Sequence, residues 1–343
     1  MPRFSVLNGV LTAVLLLPLV ACSGKDAAYQ HRVGDSSSLH YQEEGDWRDI
    51  WDSLSLRLQK DGLDAEKTQE LFDRLDTPRT LAPMGAKIKE LYSAEFLPRP
   101  AVKSIPTAKP KKKSVRKPAS GVPGPWYKDV VTSANAQTCR AFLRQHRAAF
   151  ADAQRRYGVP PEIGAALLFV ETRLGRLLGR ESAFYTLASM SVTRSPETIV
   201  AYLDGLPGTK RYSRWIKTRM DEKADWAYDE LKALLRHCYE NDLDPFAMPG
   251  SMYGAIGLCQ FMPSNLERFA ADGDHDGRID IFQAPDAIAS LSRYLKENGW
   301  KRGLSLRGQE KVLLRYNRST TYARTILALA QKIRQIEQNK TRL

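Results

Sequence analysis

The sequence of 343 residues lacks the alternation of strand and helix patterns that marks βαβ units, and it has no internal repeat. These two absences exclude a parallel α/β sheet and a repeat architecture. From Trp126 onward the apolar residues recur at helical spacing, for example Ile288, Leu291 and Leu295 before Gly299. We therefore expect a mainly helical body over residues 126–343.

Acidic and aromatic residues are both missing between Pro98 and Pro125, where eight lysines and arginines contribute most of the formal net charge of +13. Nucleic-acid binding would favour basic residues interleaved with aromatics on a folded surface, so the sequence argues against a nucleic-acid partner. The proline content predicts an extended linker over 98–125. Its charge suits either attraction to an anionic polymer or lipid surface, or simple solvation.

The N-terminus has the pattern of a processed export signal. A short basic start is followed by an apolar run to Val20, and Leu19-Val20-Ala21-Cys22 matches the cleavage box of bacterial lipoproteins. We expect residues 1–22 to be a signal peptide and Cys22 to be lipidated, with Ser23 favouring the periplasmic, inner face of an outer membrane. The alternative is an uncleaved anchor, for which the run is short.

Two further segments precede the linker. Residues 23–45 are polar and are predicted to form a flexible tether. Residues 46–97 contain an amphipathic pattern that ends at Gly62 and a second one after Asp64. We expect this N-terminal helical segment to pack on the main body.

Cysteine is scarce, with four residues in the whole chain. Cys139 and Cys238 each lie on an apolar helical stripe and so are expected to face a core. In an oxidising compartment they are the candidate disulfide pair, and buried free thiols are the alternative. Cys259 has no apparent histidine partner, which argues against a nucleophilic role.

Glu171 stands on or beside the apolar stripe of a predicted helix that begins near Pro160-Pro161. Burial disfavours the charged form of a carboxyl group and raises its pKa, as a general acid near neutral pH requires. The alternative is a structural ion pair with Arg173 or Arg176.

A glycine-rich segment from Gly250 to Ser264 follows downstream. Its glycines allow the backbone to approach a ligand closely, and Ser251, Gln260 and Ser264 offer hydroxyl and amide groups suited to sugar hydroxyls and N-acetyl groups. Its apolar residues indicate an ordered segment rather than a loose connector.

The segment from Asp272 to Gln283 has the spacing of an EF-hand calcium loop. Glycine stands at its sixth position, and the twelfth holds Gln283 where the pattern requires a bidentate Glu. Either the loop binds a structural calcium ion or it is a metal-free acidic turn. The candidate ligands are Asp272, Asp274, Asp276, the backbone carbonyl of Arg278, and Asp280.

Four strings in the same order resemble the membrane-bound lytic murein transglycosylase B family, whose catalytic domain has a lysozyme-like fold with a cleft between lobes. They are Val170–Gly175, Gly250–Ser264, the run from Asp286 to Tyr294 with Gly299-Trp300, and Arg315–Tyr322. The resemblance implies that Glu171 is the single catalytic acid and base. It also implies that the substrate-binding residues are Ser251, Gln260, Tyr294, Tyr316, Asn317 and Tyr322.

The resemblance further implies a reaction on peptidoglycan glycan strands that yields 1,6-anhydromuramoyl products and requires no cofactor for catalysis. The chain departs from some members at Arg194-Ser195-Pro196, where they carry two consecutive arginines. A hydrolytic muramidase and a non-catalytic peptidoglycan-binding lipoprotein are the alternatives. Cell-wall synthesis or division proteins are the expected class of protein partner.

Overall fold

The computed structural model describes residues 47–98 and 121–341. Several predicted features lie outside the described residues: the signal peptide 1–22 with Cys22, the tether 23–45, and the larger part of the linker 98–125.

Helices dominate the described residues, which confirms the mainly helical fold. The α-helices are α1 (Trp47–Lys60), α2 (Ala65–Asp73), α3 (Ala82–Phe96), α4 (Ser133–Gln145), α5 (Arg147–Tyr157), α6 (Pro161–Thr172), α7 (Ala183–Val192), α8 (Val200–Leu203), α9 (Ser213–Glu240), α10 (Ser264–Phe269), α11 (Ala284–Glu297), α12 (Leu306–Tyr316) and α13 (Thr320–Thr341). Two 3₁₀ turns span Pro196–Ile199 and Pro245–Ala247. Strands β1 (Glu181–Ser182) and β2 (Pro249–Gly250) pair antiparallel, with Glu181 opposite Gly250.

The helices form two lobes. In the α6 lobe, α6 packs against α4 and α13, α5 packs against α11, and α12 packs against α13. In the α9 lobe, α9 packs against α3 and α7, and α1 packs against α2 and α7. Helix α10 contacts both α9 and α11, so it joins the lobes next to the glycine-rich segment.

Helix α6 lies at the centre of its lobe. Gly158 ends α5 with a φ of 74°, which a residue without a Cβ adopts readily. Pro160 then caps α6 and Pro161 takes its first position, where a missing N–H costs nothing. Residues 163–169 of α6 are all buried, so the middle of the helix is enclosed on all sides rather than on one stripe.

Helices α1 to α3 contact the α9 lobe through specific polar bonds as well as apolar packing. Tyr92 of α3 donates a hydrogen bond to the Pro207 carbonyl at 2.6 Å. Arg74 makes two bonds to the Asp244 carboxylate, at 3.0 and 3.1 Å. The N-terminal helices are therefore part of one folded body with α7 and α9.

The end of the predicted linker lies against α13. Val122 is buried, and its backbone N–H donates to the Gln331 side-chain carbonyl at 3.2 Å. The N–H of Tyr127 donates to the hydroxyl of Thr325 at 3.0 Å. Residues 122–127 thus contribute to the α6 lobe.

The expected disulfide between Cys139 and Cys238 is absent, since both residues are buried free thiols. Cys139 lies on α4 with its Sγ 4.0 Å from the Ala165 carbonyl of α6, whereas Cys238 lies on α9. The core-facing positions were therefore predicted correctly, but the two cysteines lie on different helices, α4 and α9, and are not bonded to each other. Burial raises the pKa of each thiol to about 12.

Across the described ranges, no helix combines the length and apolar composition needed to cross a membrane.

Candidate active site

Glu171 lies in the last turn of α6, where the helix ends abruptly. Arg173 and Leu174 both adopt left-handed backbone conformations, with φ of 52° and 63°. Their N–H groups bond back to the Phe169 and Leu168 carbonyls at 3.0 and 3.1 Å. This closure satisfies carbonyl groups that the helix end would otherwise leave unpaired.

No ion pair joins Glu171 to Arg173 or Arg176 within the part of the chain that the structure describes. The Arg173 guanidinium instead lies 4.6 Å from the centre of the Phe169 ring. The ion-pair interpretation of Glu171 is therefore not supported by the geometry.

The carboxyl group of Glu171 is desolvated, and this burial raises its pKa to about 7. The hydroxyl of Tyr322 donates a hydrogen bond to Oε1, which lowers the pKa by a smaller amount. Burial, followed by the Glu171 charge, raises the pKa of Tyr322 well above its ordinary value, so the phenol keeps its proton. Near neutral pH, Glu171 is thus close to its midpoint and can both release and accept a proton.

Three of the predicted substrate residues are tyrosines that meet beside Glu171. The Tyr322 and Tyr316 rings are nearly parallel with centres 6.4 Å apart, and the Tyr316 and Tyr294 rings are perpendicular at 5.0 Å. Tyr316 donates its hydroxyl to the Cys259 carbonyl, and Tyr294 donates to the Arg315 carbonyl at 3.0 Å. We call Tyr294, Tyr316 and Tyr322 the tyrosine wall. Because the hydroxyls of Tyr316 and Tyr294 bond to backbone carbonyls, these two residues contribute to the wall through their rings.

Ser251 lies at the start of a tight turn in the glycine-rich segment. Its hydroxyl oxygen accepts hydrogen bonds from the N–H groups of Tyr253 at 3.3 Å and Ala255 at 3.0 Å. The hydroxyl proton is therefore available to a ligand, because both bonds use only the lone pairs of the oxygen.

Gln260 connects the glycine-rich segment to the chain after α6. Its backbone has a φ of 49°, an uncommon conformation for a residue with a Cβ. Its side-chain amide donates to the carbonyls of Leu178 at 3.3 Å and Gly257 at 3.2 Å. Gln260 thus links the glycine-rich segment to the stretch of chain that follows α6.

Asn317 lies in the turn between α12 and α13, next to Tyr316. Its side-chain oxygen accepts a hydrogen bond from the Ser319 N–H at 3.1 Å. This bond orients the side chain, and the amide NH₂ remains a donor for a ligand.

Thr172 has a role that the sequence analysis did not identify. Its hydroxyl donates to the Leu258 carbonyl at 3.0 Å and accepts from the Gly175 N–H at 3.0 Å. The residue after Glu171 therefore fixes both the glycine-rich segment and the turn that follows α6. The only sequence feature that pointed to Thr172 was its position next to Glu171 in the string Val170–Gly175.

Glu230 is a buried carboxylate that the sequence analysis missed. It lies on α9 with 5% of its surface exposed, and accepts bonds from the Ser264 N–H at 2.8 Å and hydroxyl at 2.9 Å. Ser264 therefore holds the end of the glycine-rich segment against α9. A carboxylate between Ala227 and Leu231 on the apolar stripe of α9 could have revealed this contact from spacing alone.

The acidic loop brings three of its candidate ligands together. Oxygen atoms of Asp272, Asp274 and Asp276 all lie within 4.8 Å of one another. Asp280 instead accepts a bond from the Phe282 N–H at 2.9 Å, and the Arg278 side chain pairs with Asp242 at 3.2 Å.

Cys259 is buried beneath the tyrosine wall. Its thiol donates to the Ala287 carbonyl at 3.2 Å, and burial raises its pKa well above the ordinary value. A protonated, enclosed thiol is a poor nucleophile, in agreement with the sequence analysis.

Comparison with known proteins identifies relatives of this arrangement. The sequence profile of the family described as "Transglycosylase SLT domain" matches residues 46–311. The membrane-bound lytic murein transglycosylase B of Escherichia coli K12 is 33% identical over 190 residues, which are 54% of this chain and 45% of that protein. The matched region thus spans about half the length of this curated relative.

Solved structures share the fold at low sequence identity. The soluble lytic transglycosylase SltB1 from Pseudomonas aeruginosa has a TM-score of 0.57 and 23% identity, covering 84% of this chain and 99% of its own. Escherichia coli Slt35 in complex with calcium has a TM-score of 0.58 and 22% identity, with coverage of 84% and 93%. Pseudomonas aeruginosa SltB3 in complex with NAG-NAM-pentapeptide has a TM-score of 0.59 and 19% identity, with coverage of 85% and 80%.

Proposed function

Because the chain belongs to the transglycosylase SLT domain family, we propose that it is a lytic transglycosylase that cleaves peptidoglycan glycan strands. One observation carries the proposal: the carboxyl group of half-buried Glu171 is desolvated, has a pKa raised to about 7, and accepts a hydrogen bond from Tyr322. The resemblance to lytic murein transglycosylase B supports the reaction type.

In the first step, protonated Glu171 donates its proton to the oxygen that links N-acetylmuramic acid to N-acetylglucosamine. The C1–O bond breaks, and the N-acetyl group of the muramic acid stabilises the positive charge that develops at C1. Ordinary glycosidases use two carboxyl groups, whereas here the substrate replaces the second. The raised pKa of Glu171 keeps a useful fraction of the acid form at neutral pH.

In the second step, the Glu171 carboxylate takes the proton from the C6 hydroxyl of the same muramic acid. The C6 oxygen bonds to C1, which gives the 1,6-anhydro product and returns Glu171 to its acid form. Tyr322 stabilises the intermediate carboxylate through its hydrogen bond. Intramolecular attack has a high effective concentration, and enclosure of the site excludes competing water.

Ser251, Gln260 and Asn317 are the polar groups that we assign to the sugar hydroxyl and N-acetyl groups. Their side chains are oriented by bonds to the loop or turn that carries each of them. Such pre-orientation lowers the entropy lost on binding. The SltB3 complex with NAG-NAM-pentapeptide supports a glycan strand as a ligand of this fold.

A structural calcium ion in the acidic loop is a second part of the proposal. Asp272, Asp274 and Asp276 have the donor type and the mutual distances that a hard cation favours. The Slt35 complex with calcium supports this assignment for the fold. Gln283 at the twelfth position supplies no charge, so the affinity should be weak.

For location, we propose a periplasmic protein anchored to the outer membrane through lipidated Cys22. The lipoprotein cleavage box and the membrane-bound relative support an anchor. A Cys22→Ala variant should move from the membrane to the soluble periplasmic fraction, and retention in the membrane would contradict lipid anchoring.

Mass spectrometry of muropeptides released from purified peptidoglycan tests the reaction. The wild type should release anhydromuropeptides, Glu171→Gln should release none, and Glu162→Gln on the first turn of α6 should behave as wild type. Reducing-end products would identify a hydrolytic muramidase. Binding without release would indicate a non-catalytic peptidoglycan-binding protein.

A further inference from the structure

Lys87 of α3 is a charged residue in an enclosed position, with 4% of its side chain exposed. Its ammonium nitrogen lies 3.0 Å from Oε2 of Glu90 and 4.7 Å from the centre of the Tyr253 ring. An enclosed ammonium group is unfavourable unless a carboxylate or an aromatic face compensates it. Here one of each does so, and the aromatic face comes from the glycine-rich segment.

Tyr253 also bonds directly to the same carboxylate. Its hydroxyl lies 3.3 Å from Oε2 of Glu90. Burial, followed by the Glu90 charge, raises the pKa of Tyr253 to about 12, so the hydroxyl is the donor at neutral pH. One oxygen of Glu90 therefore accepts two hydrogen bonds, one from Lys87 of α3 and one from Tyr253 of the glycine-rich segment.

A second cation, Lys223 of α9, is also influenced by the charges of Glu222 and Glu90. Burial, followed by the charge of Lys87, lowers the pKa of Lys223 on α9, which indicates that the two lysines sense each other. The Glu90 charge acts in the opposite direction on Lys223. Loss of the Glu90 charge would leave the enclosed Lys87 ammonium without its carboxylate partner.

Tyr253 in turn belongs to the turn that holds Ser251. Besides the Tyr253 N–H bond to the Ser251 hydroxyl, the Gly254 N–H donates to the Ser251 carbonyl at 2.9 Å. The Ser251 N–H donates to the Ala255 carbonyl at 2.8 Å. A displacement of Tyr253 would therefore be transmitted to the Ser251 side chain through the backbone of a five-residue turn (251–255).

We propose that Glu90, Lys87 and Tyr253 are positioning residues through which α3 holds the turn 251–255 in its substrate-binding shape. Helix α3 precedes the linker in the chain, so the N-terminal helices contribute to substrate binding as well as to folding. The identity of the substrate rests on the proposed function, whereas the anchoring of the turn does not.

Hydrogen exchange of the purified full-length protein tests the anchoring directly. Glu90→Gln and Tyr253→Phe should each accelerate exchange of the amides of residues 251–255 by about threefold to tenfold, the factor expected for one lost hydrogen bond. Glu95→Gln is the matched control, because Glu95 is an exposed carboxylate on the same helix. Exchange equal to that of Glu95→Gln would overturn the proposal.

Steady-state kinetics on soluble glycan strands test the consequence for binding. Glu90→Gln and Tyr253→Phe should raise KM by about threefold to tenfold and change kcat by less than about twofold, because Glu171 and Tyr322 are untouched. The KM of the double variant should rise by less than the product of the two single effects, since the bond between Tyr253 and Glu90 is affected by both changes. A purely structural role would lower Tm without raising KM.

The two tests separate the two proposals. If the wild type releases no anhydro product, the proposed function fails, and hydrogen exchange still reports on the anchor. If the wild type is active and the variants match Glu95→Gln in both measurements, the anchor fails while the reaction stands.

Discussion

Tyr322 and Glu171 are 151 positions apart in the chain, yet the hydroxyl of Tyr322 donates a hydrogen bond to Oε1 of Glu171. The contact exists because α13, which carries Tyr322, packs along α6. Burial raises the pKa of Glu171, and the tyrosine opposes part of that rise by stabilising the carboxylate. The pair thus adjusts one carboxyl group for use as acid and as base.

Tyr322→Phe should lower kcat/KM by about tenfold, the cost of losing one hydrogen bond to a charged group. The alkaline limb of the pH profile should also move to higher pH. The lost donor stabilised the charged form, so its removal raises the pKa of Glu171 and extends the range in which the acid is protonated. A pH profile of kcat/KM measures both effects, with Tyr239→Phe on α9 as the control. A limb that stays in place would show that the hydroxyl does not influence the acid.

Glu171→Gln should stabilise the protein above neutral pH but have little effect at pH 4. The folded pKa of about 7 lies above the ordinary 4.5, so the wild type loses stability as pH rises between these values. At about 1.4 kcal/mol per pKa unit, the gain above pH 7 has an upper limit of about 3.5 kcal/mol. Thermal unfolding of both proteins across this range gives the difference. A gap that does not change with pH would contradict a desolvated carboxyl group.

Glu230→Gln should lower the free energy of unfolding by about 1 to 3 kcal/mol. Both carboxylate oxygens of Glu230 now accept a hydrogen bond from Ser264. In the variant, the amide NH₂ would replace one of these oxygens, so two donors would face each other. Glu267→Gln is the comparison, because its ion pair with Arg236 is exposed and 3.5 Å long, so its loss should cost less than about 1 kcal/mol. Denaturant titrations of both variants measure the contrast, and equal losses would show that Glu230 is not a specific support.

Gly179→Ala should destabilise the protein by about 1 to 3 kcal/mol more than Gly205→Ala. Both glycines have positive φ, 106° and 73°, so both variants carry backbone strain. Only at Gly179 would the new Cβ meet another chain segment, at 1.9 Å from the Gly250 carbonyl oxygen. The Tm of Gly179→Ala should fall below that of Gly205→Ala, and product release should decrease, if the chain at Gly179 must lie this close to Gly250. Similar Tm values would mean that they separate at no cost.

Calcium at about 10 mM should raise the Tm of the wild type by a few degrees, as expected for a site of millimolar or weaker affinity. Asp274→Asn should abolish the shift, and magnesium, which favours a smaller octahedral site, should give little of it. Activity with excess chelator should persist at moderate temperature, because the ion is assigned a structural role. A wild type whose Tm ignores calcium would identify a metal-free acidic turn.

Local patterns in the sequence were sufficient for several conclusions. Helical periodicity predicted α1, α6 and α11, because the spacing of apolar residues follows from helix geometry alone. Glu171 was predictable as a carboxylate on a buried stripe for the same reason. The glycine-rich segment was recognisable because glycine is required where backbones approach closely or φ is positive.

Other conclusions depended on which elements pack together. Spacing placed Cys139 and Cys238 in the core but could not show whether the two thiols meet, and they remain free. It offered Arg173 or Arg176 as partners of Glu171, whereas the partner is Tyr322. It assigned no role to Thr172 or Glu230, whose acceptors and donors come from a distant segment.

The physical difference is one of range. The sequence determines which face of each helix avoids water, since that property depends on neighbours within one or two turns. The sequence does not reveal which other helix covers that apolar face, because many apolar surfaces are compatible with it and only the packing of the whole molecule determines which one is used. The bond from Tyr322 to Glu171, the ring contacts among Tyr294, Tyr316 and Tyr322, and the contact between Tyr253 and Glu90 all depend on that selection. They therefore appear only once the helices are assembled.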